Sequence, residues 1–209
     1  MDIGIGIPNS VRGTTGPQLL EWARRADAAG FSSLGTIGRV AYPSYEELTV
    51  FAAAGAVTER IRFLTNVLIA PARSTAELAK QAMTVHELTG GRLTLGLGAG
   101  WRDIDYRLTG RDFEARGRLF DEQLAGLHRA WGGEPILEGT RPVAPETGYA
   151  GVPLLIGGHS EAAIRRTVEF GVGWTAGGLP PEMVATMKKV NAMAPTPVRS
   201  GASRGRWSR

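Results

Sequence analysis

LTGGRLTLGLGAGWR, residues 88–102, holds the end of a helix, a complete strand and a glycine turn in one short stretch. Gly90-Gly91 stops the helix, Arg92 to Leu97 alternates into a strand, and Gly96, Gly98 and Gly100 follow in a turn. Working backward, Ser74-Thr75-Ala76-Glu77 reads as a capping box, in which Ser and Glu satisfy each other's exposed backbone N–H groups. Its helix should turn Leu78, Ala82, Val85 and Leu88 inward. Before it, Ile61 to Ile69 is apolar on both faces, as a buried parallel strand should be. A second capping box, Ser44-Tyr45-Glu46-Glu47, should open an Ala-rich helix running to about Thr58, after a strand from Phe31 to Ile37. The chain begins with a short strand around Ile3, Ile5 and Ile7. The helix after it has Pro17 near its start, and Leu19, Ala23, Ala26 and Gly30 on one face.

The same alternation continues forward. A long helix carries Phe120, Leu124, Leu127 and Trp131 on one stripe. Residues 132–151, rich in Gly and Pro, read as an excursion loop. A fifth strand spans Pro153 to Ile156, a helix about Glu161 to Phe170, and a sixth strand about Val172 to Ala176. A further helix starts at Pro180-Pro181-Glu182. Repeated βα units imply a parallel sheet. An open doubly wound sheet and a closed barrel both fit. Short links and the lack of a sequence break marking reversed strand order favour the barrel. In either, ligands sit at the C-terminal ends of the strands.

Composition narrows the chemistry. The 209 residues contain no cysteine, which excludes disulfides, thiolate catalysis and Cys-bound zinc. The apolar stretches are too short for a membrane helix, and Met1-Asp2-Ile3-Gly4 lacks the basic region of a signal peptide, so a soluble cytoplasmic protein is expected. The net charge is +4, but Arg199, Arg204, Arg206 and Arg209 carry all of it, leaving a neutral body and no nucleic-acid surface. Only Lys80, Lys188 and Lys189 among the 24 basic residues are lysine, as codon bias in a GC-rich genome would produce.

Three features could carry chemistry. The turn at 95–101 superficially resembles a dinucleotide fingerprint, but Trp101 stands where the third glycine belongs. It is either a plain tight turn or a place where backbone approaches a flat ligand. Ile156-Gly157-Gly158-His159-Ser160 joins a strand directly to a helix. Two glycines, a helix N-terminus and a Ser hydroxyl suit a phosphate, and Ser160 also suits an N-cap. Asn66 is a lone amide in an apolar strand and needs partners, in a bulge or a ligand. His86 and His128 lie in helices, remote from the ligand end, whereas His159 lies at it. No metal-hydrolase, serine-hydrolase or P-loop motif is present.

Taken in order and spacing, "MDIGIGIPN" at 1–9, "EWARRADAAGF" at 21–31, "RFLTNVLIAP" at 62–71 and "LTGGRLTLGLGAGWR" resemble the luciferase-like monooxygenase family. So do "FEARGRLFDEQLAGLHRAW" at 113–131 and "VPLLIGGHSEAAIRRTVEFGVGWTAGG" at 152–178. The resemblance covers about residues 1–193. It implies a (β/α)8 TIM-barrel type of fold and an oxidoreductase using FMN or coenzyme F420, for hydride transfer or for oxygen activation on reduced flavin. By position in the family, Asn66, Val67 and Ile69 at the end of strand three lie against the ring, often with a bulge. Ala99 and Gly100 match the turn after strand four, and Gly157, Gly158, His159 and Ser160 the phosphate turn. The expected partners are a small-molecule substrate and a second copy in a homodimer, with no nucleic acid and no membrane.

Two departures stand out. Many members carry an acid, often followed by His, where this chain has Gly38-Arg39, so Gly38→Asp is expected to raise cofactor affinity or turnover. The family also continues to strands seven and eight. Here the expectation is an incomplete barrel of about six βα units over residues 1–193, then a basic disordered tail at 194–209 of the kind a shifted reading frame yields. The rival reading is a truncated, non-catalytic homologue acting as a binding or assembly module.

Overall fold

A parallel neighbour can be reached only by a crossover that carries the chain back to the starting end of the sheet, and helices supply it here. The computed structural model describes residues 2–175, together with 185, 188–190 and 192–193. The start of the helix expected from Pro180 and the tail at 194–209 lie outside the described residues, while residues 185, 188–190 and 192–193 are helical.

The elements run β1 (Gly4–Gly6), α1 (Gly16–Ala28), β2 (Ser33–Thr36), α2 (Glu47–Gly55), β3 (Arg62–Thr65) and β4 (Leu68–Ile69). After a 3-10 turn at Ala70–Ala72 come α3 (Thr75–Leu88), β5 (Leu93–Gly98), α4 (Asp103–Arg107) and α5 (Arg116–Trp131), then β6 (Leu154–Gly157), α6 (Glu161–Phe170) and β7 (Gly173–Thr175). Every strand pair is parallel, and the order across the sheet is β1-β2-β3-β5-β6-β7, with β4 continuing the line of β3 along β5.

Register sorts the side chains onto two faces. Ile5, Leu34, Phe63 and Leu93 stand in one row, and Leu97 and Ile156 in another, on the face that packs against helices. Leu34, Phe63, Leu93, Leu95, Leu97, Leu154 and Ile156 are buried there, each contributing about 1.5–3 kcal/mol of apolar transfer. The opposite face presents Gly4, Gly6, Ser33, Gly35, Arg62, Leu64, Thr94 and Leu155 to a cavity of about 540 Å³. Consecutive helices touch one another, α1 on α2, α2 on α3, α3 on α5 and α5 on α6, and so form a single layer. A doubly wound sheet would place helices on both faces. The architecture is therefore an α/β half-barrel of six parallel strands, with β3 and β4 counted as one interrupted strand, curled as in a TIM barrel. A complete eight-stranded barrel is not seen among the described residues.

Two local expectations fail for physical reasons. Ser44 does not cap α2. Glu46 does, its carboxylate accepting from Thr49 N at 2.7 Å while Arg73 Nη1 donates to it at 2.9 Å, so the helix begins at Glu47. Leu88 is 65% exposed, because the inward stripe of α3 shifts to Leu78, Ala79, Ala82, Met83, Val85 and His86 near its end. Ser74 does cap α3, and α5 buries Phe120, Leu124, Leu127 and Trp131 as expected.

The N-terminal end of the sheet is stapled by Arg92. Its guanidinium donates to the carbonyls of Gly55, Thr58, Ile61 and Thr89 and to Thr58 Oγ1, and lies over the Phe63 ring. A fixed fork of donors meeting orphan helix-end carbonyls closes that end without any ligand.

Candidate functional site

At the other end, the C-terminal ends of β3, β5, β6 and β7 converge. The break between β3 and β4 falls at Asn66–Val67, whose peptide bond is cis. Thr65 Oγ1 donates to Gly96 O at 2.8 Å, and Asn66 N donates to Thr36 O at 3.0 Å. Val67 is thereby turned over the neighbouring strands. A Cβ on Gly98 would sit 2.8 Å from one Val67 methyl, and a Cβ on Gly157 3.0 Å from the other. The two strands lack side chains where Val67 needs the space, which is the physical use of glycine at both positions. Gly100, at φ +69°, lies under Ile69, and Ala99 O accepts a hydrogen bond from Tyr106 OH.

The turn after β6 leads from a glycine pair into a helix N-terminus, a geometry that could hold an anion. Gly158 adopts φ +120°, and Ser160 caps the ten-residue α6 by accepting from Ala163 N at 3.2 Å. Its hydroxyl proton remains available to a ligand oxygen. Trp174 Nε1 donates to Gly158 O at 2.8 Å, and the rings of Trp174 and His159 meet edge to face at 5.7 Å. Backbone N–H groups at the α6 N-terminus carry partial positive charge, worth about 0.3–1 kcal/mol to an anion. A glycine floor beneath an apolar Val67, next to a helix N-terminus, fits a flat tricyclic ring bearing a phosphate tail.

All nine residues expected at the ligand therefore lie at one end of the sheet: Asn66, Val67 and Ile69, Ala99 and Gly100, and Gly157 to Ser160. His86 and His128 lie at the other. His86 Nδ1 meets Leu93 O at 3.0 Å, and burial lowers its pKa; His128 meets the Trp131 ring edge to face and the Phe170 ring at a tilt. The large cavity runs along the inner face of the sheet, and of the nine only Asn66 lines it. In barrels that interior is packing space, so the site is better located at the cavity's C-terminal rim.

Gly38 is also explained, against expectation. A Cβ there would collide with Glu47 Oε1 and lie 3.0 Å from Val67 O. Gly38→Asp is therefore expected to displace the buried Glu47 and not to supply a useful acid. Burial raises the Glu47 pKa, opposed by Arg73, whose Nη2 donates to it at 2.7 Å. Arg39 lies 3.4 Å from the buried Asp105, which also accepts from Val40 N and Ala41 N at 3.1 and 2.7 Å. Burial pushes Tyr106 up to about 12, keeping its proton on the hydrogen bond to Ala99. Sequence reasoning missed Glu47, Asp105, Tyr106 and Thr175. Asp103 to Arg107 is too short a helix to show a period, although Asp105-Tyr106 stands next to the glycine turn. Among the described residues no group of three or more His, Cys, Asp or Glu could hold a metal, and no helix is long and apolar enough to cross a membrane.

The model of a family described as luciferase-like monooxygenase matches residues 1–203. An uncharacterised protein of Mycobacterium tuberculosis is 32% identical over 204 residues, covering 82% of this chain and 70% of that protein. The monooxygenase RslO1 of Streptomyces bottropensis superposes with a TM-score of 0.79 at 23% identity, over 92% of this chain and 65% of its own. The coenzyme F420-dependent tetrahydromethanopterin reductase of Methanopyrus kandleri gives 0.70 at 16%, over 91% and 60%. The oxygenating constituent of 3,6-diketocamphane monooxygenase of Pseudomonas putida, in complex with FMN, gives 0.65 at 20%, over 81% and 55%. The chain thus spans between half and two thirds of these solved structures.

Proposed function

The chain belongs to the luciferase-like monooxygenase family, and from that membership we propose that it is an oxidoreductase that binds reduced FMN or coenzyme F420 and acts on a small organic substrate. The observation carrying the proposal is the convergence of Asn66, Val67, Gly98, Gly100 and the Gly157–Ser160 turn on one rim of the sheet. Likeness to one structure holding FMN and to another that depends on coenzyme F420 supports the same two candidates.

When bound, either cofactor supplies hydride chemistry, and reduced flavin also supplies oxygen activation. The protein's part is to bind, orient and shield. Val67 offers apolar surface to one face of a ring, while Ile69 is buried against Gly100 and Tyr106 beside it. Gly98 and Gly157 keep the floor low enough for Val67 to lie flat across two strands. Tyr106 holds the backbone of Ala99 in place, and Asp105 ties the loop at 39–41 to the same helix. Ser160 and the α6 N-terminus receive the phosphate. Neither Gly38 nor Arg39 is an acid, but the buried Glu47 carboxyl packs against Gly38, and Arg39 is engaged by Asp105. A homodimer is the assembly we propose, and light scattering of the purified chain reads it directly.

The deciding experiment is a titration of the purified chain with FMN and, separately, with coenzyme F420, following quenching of cofactor fluorescence. Saturable binding of one at micromolar concentration is expected. Binding of neither would leave the non-catalytic assembly module as the better reading.

A further inference from the structure

Asn66 and Thr175 are 109 positions apart and belong to strands separated by two others, yet Thr175 Oγ1 donates to Asn66 Oδ1 at 2.6 Å. The bond is a chord across the curve of the sheet. Beneath it, β5 and β6 end in Gly98 and Gly157, and Val67 fills the space over both. Thr175 also packs its methyl toward Gly157, where a Cβ would meet it at 3.5 Å.

We propose that Thr175 is a positioning residue that orients the Asn66 amide, so that Asn66 Nδ2 donates to a ring carbonyl oxygen of the bound cofactor. This rests on the flavin or deazaflavin reading above. A primary amide has an acceptor prong and a donor prong, and rotation by half a turn exchanges them. A hydroxyl has a single proton, and Thr175 gives it to the acceptor prong. The donor prong must then point away from Thr175, on a side chain exposed at the rim where the ring is placed. Flavin and deazaflavin both carry carbonyl oxygens on the pyrimidine edge, so the contact suits either. Without the Thr175 hydroxyl, the amide loses the bond that holds it in this orientation.

Three variants of the full chain test this. Thr175→Val keeps the shape and removes the hydroxyl; Thr175→Ser keeps the hydroxyl; Asn66→Asp keeps an acceptor for Thr175 and removes the donor. Dissociation constants for FMN and coenzyme F420 are read by fluorescence quenching, the visible absorption band of the bound cofactor by difference spectroscopy, and stability by melting without cofactor. Thr175→Val should weaken binding about tenfold, the scale of one ligand hydrogen bond, and return the absorption band toward that of free cofactor. Thr175→Ser should bind within about twofold of the parent. Asn66→Asp should lose as much, and adding Thr175→Val to it should cost nothing further. Parental affinity and spectrum in Thr175→Val would overturn the assignment alone. So would a loss that Thr175→Ser fails to restore and that tracks a lowered melting temperature, which marks a purely structural contact. A parent chain that binds neither cofactor overturns the assignment and the proposed function together.

Discussion

Single atoms decide the candidate site. Ser160 serves as N-cap to α6 and stands where the phosphate is expected. Aspartate caps as well as serine, so Ser160→Asp keeps the helix and sets a negative charge against a negative ligand. Its melting temperature should stay within a few degrees of the parent, while cofactor affinity falls at least tenfold, and more so at low salt. Equal affinity, measured by the same quenching titration, would place the phosphate elsewhere. Gly98→Ala sets a methyl 2.8 Å from Val67 Cγ2. Overpacking of that kind costs about 1–3 kcal/mol, so we expect a lower denaturation midpoint in urea as well as weaker binding. The Gly157–Ser160 turn was legible in the sequence because its logic is local: glycines, then a cap, then a helix. Asn66 was legible as a polar residue in an apolar strand. Its partner Thr175 was not, since nothing near position 175 tells of a bond to position 66. Glu47 was hidden for the same reason, its burial against Gly38 being a product of loop geometry.

Helices and strands were easier to read than their ends. The inward stripe of α5 follows from its period, and all its residues are buried. The start of α2 was misplaced because Ser44-x-x-Glu47 has the pattern of a capping box, while Glu46, held by Arg73, competes successfully for the role. The apolar run of the third strand reads as one strand from Ile61 to Ile69, with Asn66 the only sign of a bulge, and the strand is interrupted at that residue. Between elements, α5 and α6 are joined by Arg166, whose guanidinium donates to Asp121 at 2.7 and 3.1 Å and to Gly117 O at 2.9 Å. Arg166 is only 5% exposed, so Asp121→Ala leaves a nearly buried charge short of its partner and should cost about 1–3 kcal/mol. The hydrogen bond from Arg166, with its charge, holds the Asp121 carboxyl below the ordinary aspartate range. Folding therefore favours the ionised form. The stabilisation is complete above the unfolded pKa and disappears as pH falls through the lower folded one. The gap between parent and Asp121→Asn in urea midpoint should be constant near neutrality and close in acid. A gap that persists below both values would show that the contact is steric.

For the whole chain, binding and stability are one equilibrium. A cofactor held by the folded form alone, at one hundred times its dissociation constant, adds about 2.7 kcal/mol. For a chain of this size that raises the melting temperature by about 5–10 °C. A calorimetric scan with FMN and another with coenzyme F420 should show the rise for the true cofactor only. The strand order adds a consequence of another kind. Each strand of the sheet lies beside the one that precedes it in the chain, with β4 continuing β3. As the polypeptide leaves the ribosome, every βα unit therefore finds its docking edge already made, and the sheet can grow in the direction of synthesis. Ribosome-bound nascent chains ending after α3 should already protect the amides of β2 and β3 from hydrogen exchange, while the rim that waits for Thr175 stays unformed until β7 emerges.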